Sequence, residues 1–220
     1  MNAPTGADSV GPNWSLPAMR QAQALAWTAV EQIAAAMHPG LRESEARAIG
    51  QAVLGELGMG EAWHPMMVRF GANTLRVFSD RGGEDLALGQ DDIFFIDIGP
   101  VLLGHEADVG ASYAVGEDPD MHACAAAARD LWHRVAAIWN HGAIRGTALY
   151  ARAAEEAAAM GWQLNLDVRG HRVADYPHPS RQAGKLGDLD SLPTAGLWIL
   201  EIQIRHSTRA FGAFYEDLLI

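Results

Sequence analysis

The chain has 220 residues, 49% of them hydrophobic and 20% charged, and a formal net charge of −11. Those values describe an ordinary globular domain able to bury its own core. The acidic balance argues against a nucleic-acid partner, which demands a basic face, and no run approaches the ~20 apolar residues of a membrane span.

Residues 1–14 carry Gly, Pro, Ser and Asn but no apolar stretch with basic flanks, so they read as a flexible start rather than a secretory signal. Ser15 can cap a helix that has Pro17 in its first turn. Apolar residues then recur near a 3.6-residue period from Leu16 to Met37, and Pro39-Gly40 ends the run. A second helix is expected over Glu43 to Leu57, stopping at Gly58. Met66 to Phe70 and Leu75 to Phe78 are short strand candidates broken by Gly71-Ala72-Asn73. The acids Glu84, Asp85, Asp91 and Asp92 read as a solvated loop. Phe94 to Ile98 is a strong strand, with Ser112 to Val115 as its partner.

Two more helices fit Pro119 to Trp139, capped by Asp118, and Thr147 to Met160, ended by Gly161. Cys124 lies in the first of them. As the single cysteine it forbids an internal disulfide, points to a reducing cytoplasm, and reads as a small packing residue. A polar connection from Pro179 to Pro193 leads to two last strands, Leu197 to Ile204 and Phe211 to Leu219. Trp27, Trp139 and Trp198 read as core or interface aromatics. The order is two helices, strands, two helices, strands: an α+β layout of two similar halves, with helices outside curved sheets.

Within that layout Asp97, Glu201 and Glu216 fall in apolar strands. A buried unpaired carboxylate costs several kcal/mol or changes its protonation state, so several together call for a cation. Side-chain alternation puts Asp97 on one face with Phe95, and Glu201 on one face with Gln203. Asp108 beside Gly110 and His171 after Gly170 complete a carboxylate and imidazole set suited to Mn, Fe, Co or Zn. Singly each has a plainer reading: a strand-end acid for Asp97, a turn aspartate for Asp108, a structural histidine for His171, an edge acid for Glu216. The four carboxylates would bring −4, which two divalent ions would offset.

Several stretches resemble the pita-bread metallopeptidases: methionine aminopeptidase, aminopeptidase P, prolidase and the non-peptidase creatinase. They are the Pro39-Gly40-Leu41-Arg42-Glu43 turn, Gly71-Ala72-Asn73, the eleven-residue step from Asp97 to Asp108, Gly170-His171 and the closing acid-bearing strands. The resemblance runs from about Leu16 to the C-terminus. It implies a pita-bread fold with pseudo-twofold halves over residues 15–220, the catalytic domain alone without the N-terminal domain of prolidases. It also implies two divalent ions. Asp97 would chelate one, Asp108 and Glu216 would bridge both, and His171 and Glu201 would complete the second. Glu201 would assist as general base and His178, matching a second family histidine, would orient substrate.

This chain departs from the family in four places. Phe78 and Ser79 stand where the family has a histidine, with His64 the nearest one upstream. Arg172-Val173-Ala174 replaces a glycine-containing loop, Ile202 replaces a proline, and Pro179 replaces an acid. Arg172 fits either a surface residue or an anchor for a substrate carboxylate. The function implied is a dinuclear aminopeptidase or X-Pro dipeptidase-like hydrolase of a small peptide or amide, with a homo-oligomer allowed. The alternatives are a C–N hydrolase of the creatinase type and a binding module on the same fold.

Overall fold

The computed structural model describes residues 8–80, 82–178 and 184–220. Helix α1 (Leu16–Ala35) starts as expected: the Ser15 hydroxyl accepts from the Ala18 N–H and proline occupies the first turn. Helix α2 (Glu43–Glu56) follows, with the Arg42 N–H donating to Glu45 Oε2 at 2.9 Å, and Gly58 takes the left-handed φ of +72° that lets the chain turn away. Strands β1 (Ala62–Phe70), β2 (Asp92–Leu102), β3 (His105–Glu106) and β4 (Val109–Val115) come next. Helices α3 (Pro119–His141) and α4 (Gly146–Ala159) then lead to β5 (Gln163–Leu164), β6 (His171–Arg172), β7 (Trp198–Arg205) and β8 (Gly212–Leu218).

The strands form one antiparallel sheet in the order β1-β2-β4-β8-β7-β5, with β3 on β2 and β6 on β7. Strict alternation gives the sheet two different faces. Phe94, Ile96 and Ile98 of β2 pack with Ala26, Val30 and Ile33 of α1. Trp198, Leu200, Ile202 and Ile204 of β7 pack with Leu131 and Val135 of α3 and Leu149 of α4. Cys124 is buried in that second cluster, where loss of hydration pushes its thiol up to about 12. Each half is thus a helix pair laid on strands, which is the α+β arrangement the periodicities predicted. The opposite face is left for the carboxylates.

Four expectations change. The segment Leu75 to Phe78 is not a strand: Gly71–Leu75 is a 3₁₀ turn, with Gly71 at φ +49° and the Thr74 hydroxyl donating to the Gly71 carbonyl at 2.6 Å. That local bond competes with a ladder, and Gln203 Nε2 instead takes the freed Thr74 and Arg76 carbonyls. Of the acids read as a solvated loop, Glu84, Asp85 and Asp91 are exposed, with Asp85 accepting from the Ser44 N–H and hydroxyl and Asp91 from the Glu117 N–H, but Asp92 is half-buried, opens β2 and accepts from the Gly89 N–H. Of the start, residues 1–7 lie outside the described residues, whereas Gly11 and Asn13 donate their N–H groups to Asp175 at 2.6 and 3.0 Å. Of the connection from Pro179 to Pro193, residues 179–183 also lie outside the described residues, and Leu186–Asp188 is a second 3₁₀ turn.

Candidate metal centre

The register of the sheet assembles the site. Met67, Asp97, Gly110, Glu216 and Glu201 are successive partners across β1, β2, β4, β8 and β7. Paired residues project to the same face, so three acids stand in one row about 4.8 Å apart per strand. Like charges opposed in this way repel. Asp108 precedes Gly110 by two residues and joins that face. His171 pairs with Ile199, two residues before Glu201, and does the same. Gly110 has no side chain for a reason: a Cβ there would lie 2.9 Å from Glu216 Oε1 and 2.8 Å from the Phe214 ring.

Three of the four acids are buried and Glu201 is half-buried. Asp108 and Glu216 are each 1% exposed and Asp97 9%. Burial raises Asp97, Glu201 and Glu216 above the ordinary carboxylate range, and the negative neighbour Asp108 adds to all three, as do Glu201 for Asp97 and both Asp97 and Glu201 for Glu216. Asp108 goes the other way. Burial opposes its charge, but two imidazoles outweigh it: His64 Nε2 lies 3.1 Å from Oδ1 and His171 Nε2 2.9 Å from Oδ2. For His171, burial works against protonation and the bond to Asp108 overrides it, pushing the ring up to about 9.

The surroundings fix these groups. Gln23 on α1 clamps the Asp108 backbone, accepting its N–H on Oε1 at 2.7 Å and donating Nε2 to its carbonyl at 2.9 Å. The same amide group reaches Asp217 Oδ1 at 2.9 Å, and Asp217 Oδ2 takes the Trp27 indole N–H. Tyr150 donates its hydroxyl to the Glu201 carbonyl and accepts the Glu201 N–H. Yet Asp97 Oδ1 and Glu216 Oε1 are buried with no hydrogen-bond partner among the described residues. Buried polar atoms are normally satisfied. Two orphan carboxylate oxygens beside a carboxylate-imidazole cluster fit a divalent cation in charge and in donor type. Asp108, His171 and Glu216 each offer one atom, all within 4.8 Å of one another.

Above the acids lies a cavity of about 700 Å³. Met67, Val77, Phe78, Phe95, Val168 and Phe214 give it an apolar wall, and Arg76, Arg169 and Lys185 give it cations. All five expected ligands, Asp97, Asp108, His171, Glu201 and Glu216, line it. His178 does not: its Nδ1 sits 2.5 Å from Glu106 Oε2, which also accepts the Ala174 N–H. Arg172 is neither of the two things expected. It is 4% exposed and donates to the carbonyls of Ser9, Val173 and Leu197, tying the chain start to the segment that enters β7. His64, which the sequence marks only as the nearest upstream histidine, lines the cavity as well. A usable signal was Gly99, since a glycine inside a strand marks close approach by another group.

The model of metallopeptidase family M24 matches residues 17–220. Among solved structures, an X-Pro aminopeptidase from Thermotoga maritima is 17% identical at TM-score 0.73, covering 91% of this chain and 56% of that one. A prolidase from Pyrococcus furiosus is 17% identical at TM-score 0.67, covering 92% and 59%. The dipeptidase PepE from Mycobacterium ulcerans is 22% identical at TM-score 0.68, covering 92% and 54%. This chain therefore spans little more than half the length of those proteins, and comparison with curated sequences gives no match. At such identities the structural likeness establishes the fold, which is the pita-bread fold, and the family model establishes membership: the chain belongs to metallopeptidase family M24.

Proposed function

We propose that the chain is a dinuclear-metal-dependent hydrolase of small peptides or amides, of the aminopeptidase or X-Pro dipeptidase kind. The observation that carries the reading is the cross-strand row Asp97, Glu216 and Glu201 with Asp108 and His171 beside it, two of its buried oxygens lacking any partner among the described residues. Asp97, Asp108, His171, Glu201 and Glu216 would hold the ions, with Asp108 and Glu216 shared. Such a pair supplies Lewis acidity and a nucleophile at neutral pH.

The protein's own groups do the rest. Glu201, whose carboxyl burial raises above the ordinary range, would take and return the proton as general base. Its backbone N–H and carbonyl are both held by Tyr150, which fixes the point from which the carboxyl projects. The apolar wall excludes water and accepts a side chain or a proline ring. Arg76 and Lys185 favour a substrate that ends in a carboxylate, as a short peptide does, Arg169 being paired with Asp188 at 2.7 Å. His178, whose Nδ1 is braced by Glu106, would orient the substrate.

A dipeptide panel with X-Pro, Met-X and other members, run with added Mn or Co, tests this reading. Hydrolysis should depend on metal and stop on chelation. Asp108→Ala should abolish both metal binding and turnover, whereas Glu201→Gln should lower kcat by about 100-fold or more. No hydrolysis of any member, with metal bound, removes the peptidase reading and leaves the creatinase-type or binding-module alternatives.

A further inference from the structure

We propose that His64 is a resident metal ligand, so that the centre carries one imidazole per ion: His64 with Asp97 and Asp108 on one side, His171 with Asp108 and Glu216 on the other. The inference rests on the two-ion reading above and adds a ligand from β1.

The local chain geometry delivers His64 to the site. In β1, Met67 pairs with Asp97 and His64 with Gly99, so three steps on β1 oppose two on β2. In an unbroken strand, residues 64 and 67 would face opposite ways. The one-residue bulge reverses that parity and turns His64 onto the carboxylate face, which is what bulges beside active sites do. Gly99 clears the space. A Cβ there would lie 2.0 Å from His64 Cδ2 and 2.2 Å from Nε2. Trp63 and Phe78 meet the ring edge-on at centroid distances of 4.6 and 6.0 Å, fixing its plane. Phe78 stands where the resembled family has its histidine, whereas the imidazole here comes from β1.

The two histidines are arranged alike. His64 Nδ1 points at the Pro65 carbonyl at 3.0 Å and His171 Nδ1 at the Arg172 carbonyl at 3.3 Å. An N–H donated to a carbonyl fixes the tautomer that leaves Nε2 with a lone pair, as metal-bound histidines have it. Both Nε2 atoms face Asp108, one on each carboxylate oxygen. His64 Nε2 is also 3.6 Å from Asp97 Oδ1. That is too long for a hydrogen bond, and it leaves that oxygen without a partner among the described residues. Two ligands on one ion with bonds of ~2.0–2.1 Å stand ~3.3 Å apart in tetrahedral geometry. The distances of 3.1 and 3.6 Å bracket that value. His64, Asp97 and Asp108 each offer one atom, all within 4.8 Å of one another. An ion on these three atoms would satisfy Asp97 Oδ1. A simple counter-ion role for His64 would not.

Two readouts test this on the Co(II)-loaded protein. Chelator-competition titration should give two ions for the native chain. For His64→Gln, which keeps a hydrogen-bonding group near Asp108, one ion should bind about 100-fold more weakly and the other within about 3-fold. Gly99→Ala, which displaces the ring without removing it, should weaken the same ion. Paramagnetically shifted, solvent-exchangeable imidazole N–H resonances should number two in the native protein and one in His64→Gln. A native protein that binds two ions but shows one such resonance, unchanged in His64→Gln, overturns the ligand assignment and leaves the centre standing. A native protein that binds no Co(II) overturns the centre and the assignment together.

Discussion

Replacing Gln23 by leucine removes the clamp on Asp108 with little change in volume. The side chain is 5% exposed, and it satisfies the Asp108 N–H at 2.7 Å, the Asp108 carbonyl at 2.9 Å and one oxygen of Asp217. Asp217 keeps the Trp27 indole and the Leu218 N–H, so it adds little. The two Asp108 backbone groups are left buried and unsatisfied, at about 1–3 kcal/mol each, for a total of about 2–6 kcal/mol. For a chain of this size 1 kcal/mol moves Tm by about 2–4 °C, so a loss near the middle of that range lowers Tm by roughly 10 °C. Urea unfolding in the presence of a chelator measures this without any metal contribution. Relaxation of the Asp108 backbone also moves its carboxylate, and loss of such outer support typically costs ~10–100-fold in metal affinity. If Gln23→Leu leaves unfolding within about 0.5 kcal/mol of the native protein, the range of an ordinary surface substitution, and metal binding unchanged, the clamp is refuted.

Three further outcomes follow from the same reasoning. Glu43 is 3% exposed and accepts from the Phe70 N–H and Asn73 Nδ2. Glu43→Ala should therefore cost about 2–3 kcal/mol in urea unfolding, and Glu43→Gln less. Asp118 caps α3 and is held down to about 2, first by its bonds to Arg209. Because its folded value lies below the ordinary one, its stabilisation is complete above about pH 4 and disappears as pH falls through about 2. The difference in urea midpoint between native protein and Asp118→Asn should be present at about pH 6 and shrink as pH falls towards and through about 2. Two ions at about 100 times their Kd should add about 5 kcal/mol, or roughly 10–20 °C in Tm, an increment that Asp108→Ala abolishes.

The acids on β2, β7 and β8 were legible because each breaks the burial rule of its own strand. Asp97 among Phe94, Phe95, Ile96 and Ile98, and Glu201 between Leu200 and Ile202, are where an unpaired charge is most costly. The helices announced themselves through caps and stops at Ser15, Asp118 and Gly58. What sequence could not show was parity and tertiary engagement. His64 reaches the site only because a bulge inserts one residue between it and Met67, and no spacing rule reveals a bulge. Leu75 and Val77 alternate like a strand, but the positive φ of Gly71 and the Thr74 back-bond curl the segment instead. Arg172 looked available because its partners, the carbonyls of Ser9 and Leu197, are distant in sequence. His178 matched a motif by spacing, while its orientation depends on Glu106 from β3, a strand too short to leave a pattern.

Anomalous diffraction from crystals soaked in a manganese salt tests the central claim most directly. Two peaks should flank the Asp108 carboxylate, one toward Asp97 and one toward His171 and Glu201. Density without a peak at Asp108, or with ions only at surface acids, would contradict the account.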